Sequence, residues 1–506
     1  MRPAHEHASP AEQKAKPKGR PVPADAEPPP PEIHPVYHAP RGMHDILPGE
    51  QSYWEVIQDL VRQTAASFNY QRIETPLLES PGVFERSIGS TSDIVSKELF
   101  FARDRTGKEK LALRPEGTAG IVRAYLDHGM HTLPQPVKLW YFSPMFRHER
   151  PQAGRYRQFW QFGVEVIGEG DPLVDAQVMH LAYEILRGLQ LEQFRIEINS
   201  IGHPAPNCRQ AYVALLKTHA QAQRAKLCHD CKERLKRNPL RMLDCKEEKC
   251  QVVANTAPKI TEHLCEACAT HYRDLLALLR DLQIPVKENP RLVRGIDYYT
   301  RTVFEAVSTA RVGGNHGAEP GHGSAGQKEA PVMEFSSAPL TLVAGGRYDG
   351  LVELRGGSPT PAMGFAAGVE RILLAMRAEG VEADRADTPE VFLVHLGDLG
   401  RKRALLLFDE LRRAGFRVGE AFHKPGIKAQ LRVADRLHAP WALILGQKEA
   451  LDNTVILRNM ESGSYTQKVK VGCELLGIPV GNPRMPLLPL AAEDRVANRC
   501  DDAVVA

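Results

Sequence analysis

No stretch of this 506-residue chain approaches the roughly 18 consecutive apolar residues needed to cross a bilayer. The N-terminal segment also lacks the apolar centre of a secretory signal. Its basic residues Lys14, Lys16, Lys18 and Arg20 are interspersed with Glu6, Glu12, Asp25 and Glu27, which argues against an organelle transit peptide. The expectation is a cytoplasmic protein with no membrane partner. An excess of either charge is missing too, since 65 Lys and Arg against 62 Asp and Glu leave a formal net charge of +3. A polyanion partner is allowed, but any basic surface for it must be local. Cysteine is scarce and odd in number: nine in all, six of them within residues 228–268. That is not the layout of a secreted disulfide scaffold, and in a reducing compartment such a cluster suggests metal or nothing.

What remains is an ordinary globular composition, 42% hydrophobic and 25% charged, long enough for about three domains. Residues 1–35 are rich in Pro, Ala and charge, with almost no aromatics. They cannot bury enough apolar surface to offset their ordering entropy, so a disordered tail is expected there. Trp54, Ile57, Val61, Ala65 and Phe68 recur at helical spacing over 51–68, with Asn69 as a stop. QRIETPLLE reads as an extended edge segment interrupted by Pro76. Residues 111–170 (LALRPEG, VKLWYFSPMFRHE, FWQFGVEVIG) read as strands of one antiparallel sheet, and 172–189 as a helix. A helical, Cys-rich insertion is expected over 208–290 and a flexible Gly/Ala/His-rich loop over 308–337. After a polar break at 379–389, strand and helix patterns alternate through WALILG, an α/β module of its own. Loose composition returns over 478–506.

Two segments carry the strongest chemical signals. Phe146-Arg147-His148-Glu149 is followed, past a polar loop, by Phe159. An arginine at a strand end can meet phosphate bidentately, and the returning aromatic offers a face to a base. The bland alternative is a buried arginine paired with a nearby glutamate. Gly364-Phe365-Ala366-Ala367-Gly368-Val369-Glu370-Arg371 opens a helix with small residues that let a ligand approach the backbone. Here the alternative is a tight strand–helix packing corner.

Taken together and in order, these segments resemble motifs 2 and 3 of class II aminoacyl-tRNA synthetases, and helix 51–68 with ETPLLE resembles motif 1. Ala366 departs from the generic pattern, which has glycine there. Leu292-Val293-Arg294-Gly295-Ile296-Asp297-Tyr298-Tyr299 and Ala344-Gly345-Gly346-Arg347-Tyr348-Asp349-Gly350 resemble the signature peptides of histidyl-tRNA synthetases, as do Arg114-Pro115-Glu116-Gly117-Thr118 and Gln161 with Glu165. The resemblance implies an α+β catalytic domain over 36–387, built on an antiparallel sheet. It also implies a C-terminal α/β anticodon-binding domain over 388–477, and a homodimer through motif 1.

The same resemblance implies an ATP- and Mg²⁺-dependent ligation of L-histidine to histidine tRNA. Glu116, Thr118 and Gln161 would hold the ammonium of histidine, with Gly117, Arg147 and Arg294 also among the histidine-binding residues. Glu165 and Tyr299 would bond the ring nitrogens, with Tyr298 beside them. Arg147, Arg294 and Arg371 would surround the phosphates as the catalytic cations, with Glu149 in the ATP site and Phe159 on adenine. Gln152 to Arg157 would meet the tRNA acceptor end, and Lys424, Lys428, Arg432 and Arg436 would face an RNA backbone. The nearest alternatives are a catalytically dead regulatory relative and a sensor of uncharged tRNA, and both are disfavoured by the standing arginines. Finally, Cys228-x-x-Cys231 and Cys265-x-x-Cys268 could together close one S₄ zinc site, with Cys245 in ordinary packing.

Overall fold

The computed structural model describes residues 37–89, 92–310, 340–383, 388–462 and 465–471. The expected tail 1–35, nearly all of the loop 308–337, the last residues 478–506 and the centre of the break at 379–389 lie outside them.

Eight strands form the main sheet: β1 (Gln71–Arg72), β2 (Val137–Phe146), β3 (Gln158–Ile167), β4 (Phe194–Ser200), β5 (Val286–Glu288), β6 (Thr300–Ser308), β7 (Leu340–Arg347) and β8 (Ala362–Gly368). Their spatial order is β1-β2-β3-β8-β7-β6-β4-β5. The six central strands are antiparallel, and a short parallel strand closes each edge. Pro76 follows edge strand β1, where a missing backbone donor costs nothing.

Side chains alternate across this sheet. Trp140, Phe142, Phe162, Val164, Phe365 and Ala367 point into one apolar layer. Helices Pro48–Ser67, Pro172–Gly188, Glu266–Asp281 and Val369–Ala378 contribute their buried stripes to the same layer. In the first, Trp54, Ile57, Val61 and Ala65 are buried as their spacing predicts. It ends at Asn69, whose φ of 64° turns the chain while Tyr70 N–H donates back to Ala65 O at 2.9 Å. The other face carries Leu139, Tyr141, Met145, Tyr299 and Tyr348, covered by the insertion and by helix Thr118–Asp127.

Two sequence expectations need correction. LALRPEG does not join the main sheet: Lys110–Leu113 pairs with Leu78–Glu79 and Phe101–Arg103 in a separate three-stranded sheet. Helix Thr118–Asp127, which follows it, has seven buried residues in ten, and its polar side is confined to Arg123 and Asp127. Nor are residues 208–290 one insertion, because helix Glu266–Asp281 packs on Pro172–Gly188 and β5 completes the main sheet.

The C-terminal module is a five-stranded sheet with order β10-β9-β11-β12-β13, comprising β9 (Val391–His395), β10 (Val418–Glu420), β11 (Trp441–Leu445), β12 (Thr454–Asn459) and β13 (Tyr465–Lys470). Helices Gly397–Arg413 and Ile427–Arg436 supply its crossovers, the first stopped at Gly415 with φ 87°. Among the described residues, no helix is long and apolar enough to cross a membrane.

Candidate active site

The second face of the main sheet opens into a cavity of about 850 Å³. Its floor follows from strand register. Gln161 lies opposite Gly368, Gly163 opposite Ala366, and Glu165 opposite Gly364, while Ala366 and Gly364 continue to Ala344 and Gly346 on β7. Glycine and alanine at these inward positions leave the space that larger side chains would fill. A Cβ on Gly364 would fall within the Glu165 carboxylate. Ala366 keeps the floor open, so the departure from glycine at this position preserves the cavity.

Three arginines stand around this floor. Arg147, at the end of the β2–β3 hairpin, donates Nε to Pro115 O at 2.9 Å, and its guanidinium lies 5.2 Å from the Phe159 ring centre. Arg294 pairs with Glu305 on β6. Arg371, in the first turn of its helix, donates Nε to Gly154 O at 3.0 Å and Nη1 to Thr341 O at 3.1 Å. Burial, aided by the neighbouring Arg155, pulls the Arg371 pKa down to about 10. Each guanidinium is thus fixed by backbone carbonyls or a carboxylate before any ligand arrives.

The other end is acidic and phenolic. Glu116 accepts from Thr118 N and Ala119 N, both at 2.8 Å, and so caps helix Thr118–Asp127 with its carboxylate. Burial pushes its pKa up, opposed by those same N–H groups. Glu165, 1% exposed, accepts from the Thr118 hydroxyl at 2.6 Å and from the Tyr348 hydroxyl. Desolvation outweighs these two donors and raises its pKa to about 8. Tyr298 packs between Tyr299 and Tyr348, with ring centres 4.7 and 5.6 Å away. Gln161 Oε1 is buried without a hydrogen-bond partner, a vacancy that a cationic donor would fill.

Of the residues singled out from sequence, Glu116, Thr118, Arg147, Glu149, Phe159, Gln161, Arg294, Tyr298, Tyr299 and Arg371 line the cavity together. Four do not. Glu165 lies one layer behind, closed over by Thr118 and Tyr348. Gly117 packs against the Tyr141 ring, where a Cβ would come within 2.6 Å of Cζ. Gln152 exchanges backbone hydrogen bonds with Arg155 in a turn whose Gly154 and Arg155 reach the cavity while Gln152 does not, and Arg157 N donates to Gly42 O at 2.7 Å. The sequence reading gave Tyr348 no bonding role, although its hydroxyl holds Glu165. It also missed the wall contributed by Leu243, Asp244 and Lys246 of the insertion. Nothing in a helical Cys-rich segment signals that it borders a site.

The zinc assignment is corrected. The two CxxC pairs belong to different groups: Cys228 and Cys231 lie with Cys245 and Cys250, and Cys265 and Cys268 lie with His203 and Cys208. Each pair opens its own helix, and the two helices sit on different parts of the fold.

Comparison with known proteins identifies the family. A family description headed "Histidyl-tRNA synthetase" matches residues 42–315, and one headed "Anticodon binding domain" matches residues 390–473. A histidine–tRNA ligase of Dehalococcoides mccartyi is 45% identical over 432 residues, 85% of this chain and 97% of the relative. One of Aquifex aeolicus is 44% identical over 432 residues, 85% of this chain and 98% of the relative. The crystal structure of apo S. aureus histidyl-tRNA synthetase superposes with a TM-score of 0.69 at 34% identity, covering 86% of this chain and 98% of that one. The chain belongs to the histidyl-tRNA synthetase family.

Proposed function

We propose that this chain charges histidine tRNA with L-histidine through a histidyl-adenylate, releasing AMP and diphosphate. The observation that carries the reading is the convergence of Arg147, Arg294 and Arg371 on one cavity whose other end is lined by Glu116, Gln161, Tyr298 and Tyr299. Pyrophosphate exchange that depends on histidine tests it. A regulatory relative or a sensor of uncharged tRNA would show none.

In the first step the histidine carboxylate, ionised at pH 7, attacks the α-phosphorus and diphosphate leaves. No general base is needed. The requirement is neutralisation of charge developing on the phosphoryl oxygens, and preorganised arginines supply it. ATP enters as its magnesium complex. Glu149, only loosely paired with Arg155 at 3.8 Å, offers carboxylate oxygen of the kind Mg²⁺ takes. Phe159 stacks on adenine. Glu116 and the unfilled Gln161 Oε1 receive the histidine ammonium, next to Thr118. Glu165 and Tyr299 read the ring nitrogens, Glu165 through or in place of the hydroxyls that now cover it. An apolar amino acid would leave this buried polar group unpaired. In the second step the terminal 3′-hydroxyl of the tRNA attacks the adenylate. No protein base is assigned to it.

The raised pKa of Glu165 has a signed consequence. At pH 7 the free site carries a proton on Glu165, whose pKa is about 8, while free histidine, with a ring pKa of roughly 6.5, is neutral. The pair needs one proton between carboxyl and imidazole, so binding neither takes up nor releases a proton between those values. The KM for histidine should be lowest from about pH 6.5 to 8 and should rise toward tenfold per unit above that window. Glu165→Gln should raise that KM and abolish the upper limb while leaving the KM for ATP little changed. An unaltered upper limb would show that another group carries the proton.

The C-terminal module is the anticodon-binding part of this reading. Lys424, Lys428, Arg432 and Arg436 are exposed at four-residue intervals along and just before helix Ile427–Arg436, spaced to follow a phosphate backbone. Truncation after about Asp387 should leave pyrophosphate exchange within a few-fold of the full chain and reduce tRNA charging by at least tenfold. Unchanged charging would remove the module from tRNA binding. The turn from Gln152 to Arg157 meets the acceptor end. The chain acts as a homodimer in the cytoplasm, and the exposed Leu77, Leu78 and Phe101 around the small sheet are apolar surface of the kind such an interface covers.

A further inference from the structure

We propose that the chain holds two structural zinc ions, one on Cys228, Cys231, Cys245 and Cys250, the other on His203, Cys208, Cys265 and Cys268.

In each group all four ligand atoms lie within 4.8 Å of one another. A tetrahedral zinc with Zn–S of about 2.3 Å needs sulfurs about 3.8 Å apart, and slightly less between sulfur and nitrogen. Cys228 Sγ and Cys245 Sγ are 3.9 Å apart. His203 Nδ1 lies 3.7 Å from Cys265 Sγ and 3.2 Å from Cys268 Sγ.

The two groups share one construction. Cys228 is the N-cap of helix His229–Arg237 with Cys231 in the first turn, and Cys265 is the N-cap of helix Glu266–Asp281 with Cys268 in the first turn. Backbone N–H groups are aimed at the sulfurs. Cys231 N donates to Cys228 Sγ at 3.4 Å, Cys228 N to Cys250 Sγ at 3.2 Å, and Cys265 N to Cys208 Sγ at 3.5 Å. Such donors stabilise thiolates, the form that binds metal.

The alternative is ordinary packing of small apolar residues. Packing gives no reason to gather seven cysteines and one histidine, all unpaired by disulfides, into two fours drawn from segments up to 65 positions apart. With soft sulfur and imidazole donors and no carboxylate, each set selects zinc over magnesium or calcium. Four protein ligands close the shell, so both ions are structural.

The segment also needs them. Helix His229–Arg237 (HDCKERLKR) buries only Cys231 and Leu235, and helix Glu248–Asn255 has eight residues. These two helices add few apolar side chains to the core they share with the sheet, and a metal would fix them to it. Each site connects to the cavity wall through a nearby arginine. Arg209, next to Cys208, donates Nη2 to Tyr299 O at 2.6 Å and to Gly202 O at 2.7 Å. Arg241, four residues before Cys245, donates Nη1 to Gly295 O at 2.8 Å. The metals therefore position the 292–299 segment through backbone contacts.

The test is stoichiometry. The full chain is reduced, loaded with excess zinc, gel-filtered and analysed for metal. About two equivalents per chain are expected, and one equivalent or fewer overturns the proposal. Cobalt loading should give tetrahedral bands of both S₄ and S₃N type, and the absence of either overturns that site. Cys250→Ser and Cys265→Ser should each lose about one equivalent and only their own cobalt band. Retention of both ions in either variant refutes its ligand assignment. Should a variant fail to fold, the wild-type count and spectra still decide.

Discussion

Arg371→Ala is expected to slow histidine-dependent pyrophosphate exchange by about 10²–10³-fold, with Arg147→Ala losing a similar factor. Arg371 is held by Gly154 O and Thr341 O and remains a cation at neutral pH despite a pKa lowered to about 10. Burying that charge without a full counter-ion is unfavourable in the free protein. A phosphate group relieves the cost, more so as charge builds on it during transfer, and this differential lowers the barrier. Arg147 is kept from collapsing onto Glu116 by its bond to Pro115 O and its stacking on Phe159. The loss should fall on the exchange rate with the melting temperature little changed. Wild-type exchange in either variant would remove that arginine from the reaction.

Asp175→Ala should destabilise the catalytic domain by about 3–5 kcal/mol, read as a lowered midpoint of urea unfolding. Asp175 Oδ1 and Arg347 Nε are 2.6 Å apart, and both side chains are 0% exposed. Arg347 also donates to Glu169 O and Asp171 O, at 3.1 and 3.0 Å, and Asp175 accepts from Thr302 at 2.6 Å. Removing the carboxylate leaves the interior guanidinium with only the more exposed Asp349, 3.1 Å from Nη1, as its carboxylate partner. If that is the cost, Arg347→Met added to Asp175→Leu should recover most of the loss. A double variant no better than the single one would place the penalty elsewhere. Arg347 precedes Tyr348, so activity should fall as well through the Tyr348–Glu165 bond.

Elements with a strong period were legible from sequence. Helix Pro48–Ser67 and the alternating C-terminal module expose one face and bury the other, and that contrast is what a period records. Helix Thr118–Asp127 is short and mostly enclosed, with its polar side reduced to Arg123 and Asp127. The arginines were found through the residues flanking them. The Glu165–Tyr348 bond joins positions 183 apart in the chain, and no local pattern encodes it. The cysteines show the same limit. Each CxxC pair is a local signal, whereas Cys208, His203, Cys245 and Cys250 reach it only through the fold, so pairing the two motifs with each other was the wrong closure.

The alternation across β3 bears on which length changes this gene can inherit. Gln161, Gly163 and Glu165 lie on the cavity side of the sheet while Phe162, Val164 and Val166 face the helices. Inserting or deleting a single codon within this strand would exchange the two sets, carrying a carboxylate into the oil and phenylalanine into the substrate's seat. The same holds for β8, whose Gly364, Ala366 and Gly368 would trade places with Phe365 and Ala367. Natural insertions and deletions should therefore accumulate in the connections and be purged from these two strands, even where individual residues are free to drift.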